Sequence, residues 1–218
     1  MLALLHTSPV HVPVFDALRD AHHPALVLRH TVDAALLEHA RAEGPEAVGG
    51  AVGAAVLAAV GDGARAVLCT CSTLGAVAER VAAGVPVLRV DRPMAAAAAA
   101  MGRRIVVVAA VASTVEPTVE LLREEAGRRS PRIGTLLVDG AWALFEAGDR
   151  DGYLDAVAAA VDGVRDADAI VLAQASMADA TARTRTAVPV LSSPRPGLAA
   201  AAAAAAAPER HPGRHTGE

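Results

Sequence analysis

At 218 residues the chain is long enough for one large domain or two of roughly 100 residues each, and either can bury a core. Hydrophobic residues make up 53% of it and aromatic residues only 2%, so that core is built from small aliphatic side chains rather than rings. A net charge of −4 with the two signs interspersed offers no basic stripe for a nucleic acid, and the longest apolar stretch (47–60) falls short of the roughly 20 residues that span a bilayer.

The opening "MLALLHTSPVHVP" has no basic segment before its short apolar run, and Ser-Pro interrupts it. It reads as a strand ending in Thr7 and Ser8, not as a signal peptide, and a helix follows with Pro13 in its first turn. "ALVLRH" (25–30) is the next strand, and Asp33 is expected to cap the helix after it. "GGAVGAA" (49–55) lacks the Gly-Lys-Ser/Thr ending of a phosphate loop and lies in a helix-like stretch, so close helix packing is the expected reason for its glycines. "RAVLCTC" (65–71) is a third strand with Cys69 inside it and Cys71-Ser72-Thr73 at its end. Side chains two apart on a strand sit roughly 6 to 7 Å from each other, a poor disulfide geometry, so a reducing cytoplasm is the expected location. "VPVLRV" (85–90) is the fourth strand, followed by Arg92-Pro93.

The same grammar then starts again. "RIVVVAAVAST" (104–114) ends in Ser113 and Thr114, and a helix with Pro117 follows. "RIGTLLV" (132–138) comes next, with Asp139 expected to cap as Asp33 does. "DAIVLAQAS" (168–176) ends in Gln174, Ala175 and Ser176, and "VPVLSS" (188–193) leads to Arg195-Pro196. Ser72 falls on Ser176, Pro13 on Pro117, Arg19 on Arg123 and Asp62 on Asp166, each at an offset of 104, while Arg92 falls on Arg195 at 103. Landmarks in one order at a nearly constant shift mark an internal duplication.

Continuous Val/Leu/Ile runs alternating with helices predict an α/β fold of two pseudo-symmetric domains, each a four-stranded parallel sheet buried on both faces and flanked by helices. The expected division is 1–93 and 94–193, with a helix at 194–207 packing back on the first copy and a disordered tail at 208–218. In such sheets ligands lie beyond the carboxyl ends of the strands. Those ends carry Thr7, Ser8, Cys71, Ser72, Thr73, Ser113, Thr114, Gln174 and Ser176, mostly small hydroxyl or amide groups suited to a carboxylate. Cys71 is the reactive member, placed before an expected helix N-terminus that Ser72 and Thr73 would cap and that favours a thiolate. Arg92 and Arg195 read as turn or domain-contact residues. Six of the eight histidines fall before residue 40 and two in the tail, and nothing in their spacing indicates a metal site.

Strand, Cys-Ser-Thr and helix, repeated about a hundred residues later, resembles the aspartate/glutamate/hydantoin racemase superfamily, with its arylmalonate decarboxylase and maleate isomerase relatives. The resemblance spans residues 2 to about 200. It implies an enzyme without cofactor or metal that acts on a small carboxylate through thiols on the two faces of its α-carbon, with Thr7, Ser8, Ser113 and Thr114 as carboxylate binders. The second thiol is missing here. Ala175 takes its place, and a slip of one residue offers only Gln174 or Ser176. The resemblance therefore leaves three expectations: a one-thiol enzyme in which Cys71 protonates a carbanion or adds covalently to the substrate, as in a decarboxylase or isomerase, a racemase with an unrecognised second base, or a noncatalytic carboxylate-binding relative. A homo-oligomer is compatible with each.

Overall fold

The computed structural model describes residues 1–208; all but the first residue of the expected disordered tail lies outside them. The first half runs β1 (Leu2–His6), α1 (His11–His22), β2 (Leu28–Val32), α2 (Ala34–Glu43), α3 (Gly49–Gly61), β3 (Ala66–Cys69), α4 (Gly75–Glu79), β4 (Val87–Arg89) and α5 (Arg92–Met101). The second runs β5 (Arg104–Ala109), α6 (Val115–Ala126), β6 (Arg132–Leu137), α7 (Ala141–Glu146), α8 (Arg150–Gly163), β7 (Ala169–Leu172), β8 (Val190–Leu191) and α9 (Pro194–Ala206). A 3₁₀ stretch, Ala175–Arg183, stands where a helix would follow β7.

Each half is a four-stranded parallel sheet, ordered β2-β1-β3-β4 and β6-β5-β7-β8. The two-faced burial expected of every strand holds for β1, β3 and β7 and nearly for β5. It fails at the edges, because β2 and β6 have a neighbour on one side only and leave most of their residues partly or fully exposed. In both sheets the chain reverses direction of growth between the two central strands, which opens a crevice at their carboxyl ends.

The last helix of each half crosses over. Met94, Ala95 and Ala98 of α5 pack with Ile105, Val107 and Val171 under the second sheet. Leu198, Ala201 and Ala205 of α9 pack with Leu2, Leu4, Phe15 and Leu68 under the first. α9 lies close against the first half at Gly197, where a Cβ would lie 2.4 Å from the Val90 carbonyl oxygen. Among the described residues, no helix is long and apolar enough to cross a membrane.

Several local expectations change. Asp33 caps α2, accepting from the Ala35 N–H at 3.1 Å. Asp139 caps nothing, because Gly140, in a left-handed conformation, takes the cap position of α7. Ser72 and Thr73 are not caps either, since α4 starts at Gly75 after Leu74. A Cβ added at Gly50 or Gly53 would meet nothing within 4 Å, so close packing does not explain these glycines.

The open and the crowded glycines give opposite expectations. Gly197→Ala should lower stability by about 1–3 kcal/mol through overpacking, whereas Gly53→Ala, in the middle of a helix, should raise it by about 0.5–1 kcal/mol. Urea denaturation of the two variants checks both signs.

Candidate active site

Four strand ends converge on one cleft. From the first half come Thr7 and Ser8 after β1 and Thr70 to Thr73 after β3; from the second come Thr114 after β5 and Gln174, Ala175 and Ser176 after β7. Ser113 is not on the lining, and its hydroxyl is buried without a partner. Cys71 and Ala175 both face the cleft, from opposite halves.

The turn that carries Cys71 is held by charge. Arg89 and Asp91 form a bidentate pair at 2.7 and 2.9 Å, 3% and 0% exposed. Burial alone would weaken the Arg89 charge, but the Asp91 carboxylate more than restores it. The guanidinium approaches the Ser72 carbonyl (3.5 Å) and, across the halves, the Pro117 carbonyl of α6 (3.4 Å). It sits against Gly75, where a Cβ would be 2.8 Å from Nε. The Ser72 hydroxyl donates to the Ala173 carbonyl at 2.9 Å, joining the Cys71 turn to the strand end that leads to Ala175. Arg92 adds a further tie, binding Glu79 of α4 at 2.6 and 2.8 Å, Glu124 of α6 at 3.0 Å, and Glu125. Its domain-contact reading is realised, whereas Arg195 is exposed and has no ion-pair partner among the described residues.

Several expected ligand groups are already engaged. Gln174 Oε1 accepts from the Ala110 and Val111 N–H groups (2.7 and 3.3 Å), and Thr114 Oγ1 donates to the Val111 carbonyl (2.7 Å). Ser176 Oγ pairs with the Tyr153 hydroxyl at 2.8 Å, and burial pushes that phenol up to about 12, so it offers Ser176 no base. Thr73 differs: the residue lines the cleft, and its Oγ1 is buried without a partner. Cys69 is fully buried and its thiol is pushed up by burial, then by Cys71; its Sγ lies 3.7 Å from the Cys71 carbonyl oxygen.

The cleft also has a mouth that the residue pattern did not reveal. Leu37 and Arg41, one turn apart on α2, face Trp142 and Phe145 of α7, with the Arg41 guanidinium 5.4 Å from the Trp142 ring centre. The i, i+4 spacing of Leu37 and Arg41 was visible, but an exposed Arg on a helix carries no sign of what it faces. Beside the cleft, past Ala175 and Ser176, a second chamber is walled by Val10, Val14, Phe145, Tyr153 and Ala178. Its one cation, Arg150, is bound to Asp179.

Behind the cleft lies a histidine cluster. His6 is fully buried; burial, then His30 and His11, push it down to about 3, and burial holds His11 at about 4. Both rings are neutral in the fold, while in the unfolded chain they titrate near 6.5. No group of three or more metal-ligating side chains is present among the described residues. Because the unfolded chain takes up these protons first, stability is full above about pH 6.5 and falls as the pH drops toward the folded values. For His6 the loss should be about 2 kcal/mol between pH 6.5 and 5, and His6→Phe should flatten that part of the slope in urea denaturation at the two pH values.

The Asp/Glu/hydantoin racemase family model matches residues 11–207. No curated protein matches the chain. The Picrophilus torridus aspartate racemase superposes with a TM-score of 0.70 at 17% identity, covering 96% of this chain and 95% of that one. Glutamate racemase from Francisella tularensis, solved with D-glutamate, gives 0.69 at 12% identity over 91% and 78%. A variant of arylmalonate decarboxylase in a sulfate-associated form gives 0.62 at 22% over 97% and 96%. Identities this low carry fold alone, but the family model spans the chain from α1 to the end of α9, with the cleft-forming ends of β3, β5 and β7, and on that ground the chain belongs to the Asp/Glu/hydantoin racemase family.

Proposed function

We propose that this protein is a cofactor-independent enzyme that uses Cys71 as its single thiol in acid-base chemistry at the carbon next to a small carboxylate. The observation that carries the reading is the asymmetry of the cleft, with Cys71 on one wall and Ala175, which can neither give nor take a proton, on the other. The buried, unpartnered Thr73 hydroxyl supports a carboxylate there, since an acceptor would satisfy it. Arg41 supports the same at the mouth, as a cation without an ion-pair partner among the described residues. The apolar chamber beyond Ala175, with His11 held neutral and Arg150 already paired, suits an uncharged substituent on the reacting carbon.

The α-carbon loses either a proton or carbon dioxide, and the bonding pair left behind spreads onto the remaining carboxylate as an enediolate. Hydroxyl donors such as Thr73 stabilise that charge better than they stabilise the resting carboxylate. In decarboxylation the Cys71 thiol gives its proton to one face, and solvent reprotonates the resulting thiolate. In proton exchange the cycle starts from the Cys71 thiolate, which takes the α-proton, exchanges it as S–H with solvent and returns a proton to the same face, ending again as thiolate. Neither Ser176 nor Gln174 supplies a second acid, as both are engaged in neutral hydrogen bonds.

Incubation of α-substituted mono- and dicarboxylates in deuterated solvent tests this. Deuterium should enter, or carbon dioxide leave, with one-face stereochemistry, and Cys71→Ala should lower the rate by about 10²- to 10⁴-fold. Ala175→Cys should add inversion by placing a thiol on the far wall. Inversion by the unaltered protein would show a second base and refute the one-thiol reading, and silence across the panel together with unchanged ligand affinity in Cys71→Ala would leave a binding protein instead.

A further inference from the structure

His6, His30, Asp16 and Thr70 form one hydrogen-bonded line. Thr70, 2% exposed and beside Cys71 on the cleft, has its Oγ1 2.8 Å from His6 Nδ1 and 3.1 Å from the Leu5 carbonyl. His6 Nε2 is 2.8 Å from His30 Nδ1, and His30 Nε2 is 3.3 Å from Asp16 Oδ1, on the partly exposed side of α1. We propose that His6 and His30 are a tautomer relay, passing a proton between the cleft wall at Thr70 and the Asp16 end of the line, with both histidines acting as positioning residues through Thr70.

Hydrogen counting gives the line two complete arrangements. An ionised Asp16 only accepts, so His30 Nε2 carries a hydrogen in both. With His30 neutral, its Nδ1 accepts from His6 Nε2–H, and His6 Nδ1 accepts the Thr70 hydroxyl. With His30 charged, its Nδ1–H donates to His6 Nε2, His6 Nδ1–H donates to Thr70, and the Thr70 hydroxyl turns to the Leu5 carbonyl. That carbonyl already accepts the Thr70 backbone N–H at 3.0 Å, so no buried group is left unpaired either way. Conversion adds one proton. A hydronium ion in the cleft gives a proton to Thr70 Oγ1 and leaves as water, the hydroxyl's own proton moves to His6 Nδ1, and the His6 Nε2 proton moves to His30 Nδ1. Three bonds form, three break, and the added charge rests on His30 against Asp16. His6 stays neutral throughout, as its burial requires.

The charged and titratable groups facing the line are Asp16, its partner Arg19 (3.3 Å) and His11 of α1, the last with its ring centre 6.2 Å from that of His6. Arg29, next to His30 on β2, is engaged by Asp62 at 3.0 Å. The ring centre of Phe15 lies 5.6 Å from that of His6.

The relay rests on the Cys71 reading only for its use in turnover, and it is tested without turnover. In the full chain labelled with ¹⁵N-histidine, long-range ¹H–¹⁵N correlations read the tautomer of each ring across a pH series. His6 should change from the Nε2–H to the Nδ1–H form with the same midpoint at which His30 gains its second hydrogen. Asp16→Asn, which removes the charge that holds the added proton, should move both midpoints together to lower pH. A His6 that keeps one tautomer while His30 titrates, or that becomes charged itself, overturns the relay. The same switching should persist in Cys71→Ala; switching in an unaltered protein that turns over none of the carboxylates counts against the Cys71 reading alone, and activity of the unaltered protein with a fixed His6 counts against the relay alone.

Discussion

The buried Arg89–Asp91 pair is the interaction on which the site depends. Two charges taken out of water are stable only if each has a full set of partners, and here those partners are the parts of the molecule that must stay in register. The guanidinium faces the carboxylate of Asp91, the Ser72 carbonyl in the Cys71 turn and the Pro117 carbonyl of the other half. Gly75 leaves room for it. The pair therefore fixes the thiol-bearing turn in the same step that joins the two sheets.

The duplicated position in the second half has no such pair. Ser192 and Pro194 stand where Arg89 and Asp91 stand in the first, and the chain from β7 continues as 3₁₀ turns rather than a short α-helix. Loss of the charged brace and loss of the thiol thus fall in the same half. The second half keeps its register by other means: Gln174 grips two backbone N–H groups at the end of β5, and Ser72 reaches over to Ala173. One wall of the cleft is built to hold a reactive group still, and the other to make room, since small Ala175 leads into the apolar chamber.

Much of the fold was legible in the residues because parallel strands buried on both faces must be written as continuous aliphatic runs, and because the chain repeats itself. The parts that were misread are those where the neighbours decide. Asp33 and Asp139 follow equivalent strands, yet only Asp33 caps, because a left-handed glycine intervenes after Asp139. Ser72 looked like a cap and a ligand group, and its hydroxyl instead joins the halves. Arg41, Trp142 and Phe145 carried no local signal, since α2 and α7 are brought together only by the docking of two sheets.

The amino-acid sequence by itself determined that there are two copies, which segments are strands, and that a thiol in one copy has no counterpart in the other. These are properties of local pattern and of comparison between the copies. Only the tertiary structure decided which polar groups remain free to meet a ligand, because hydrogen-bond partners come from elements far apart in the chain. Thr73 is left over while Ser72, Gln174 and Ser176 are not. It also decided that His6 and His30, twenty-four residues apart, meet at 2.8 Å, since β1 and β2 lie side by side.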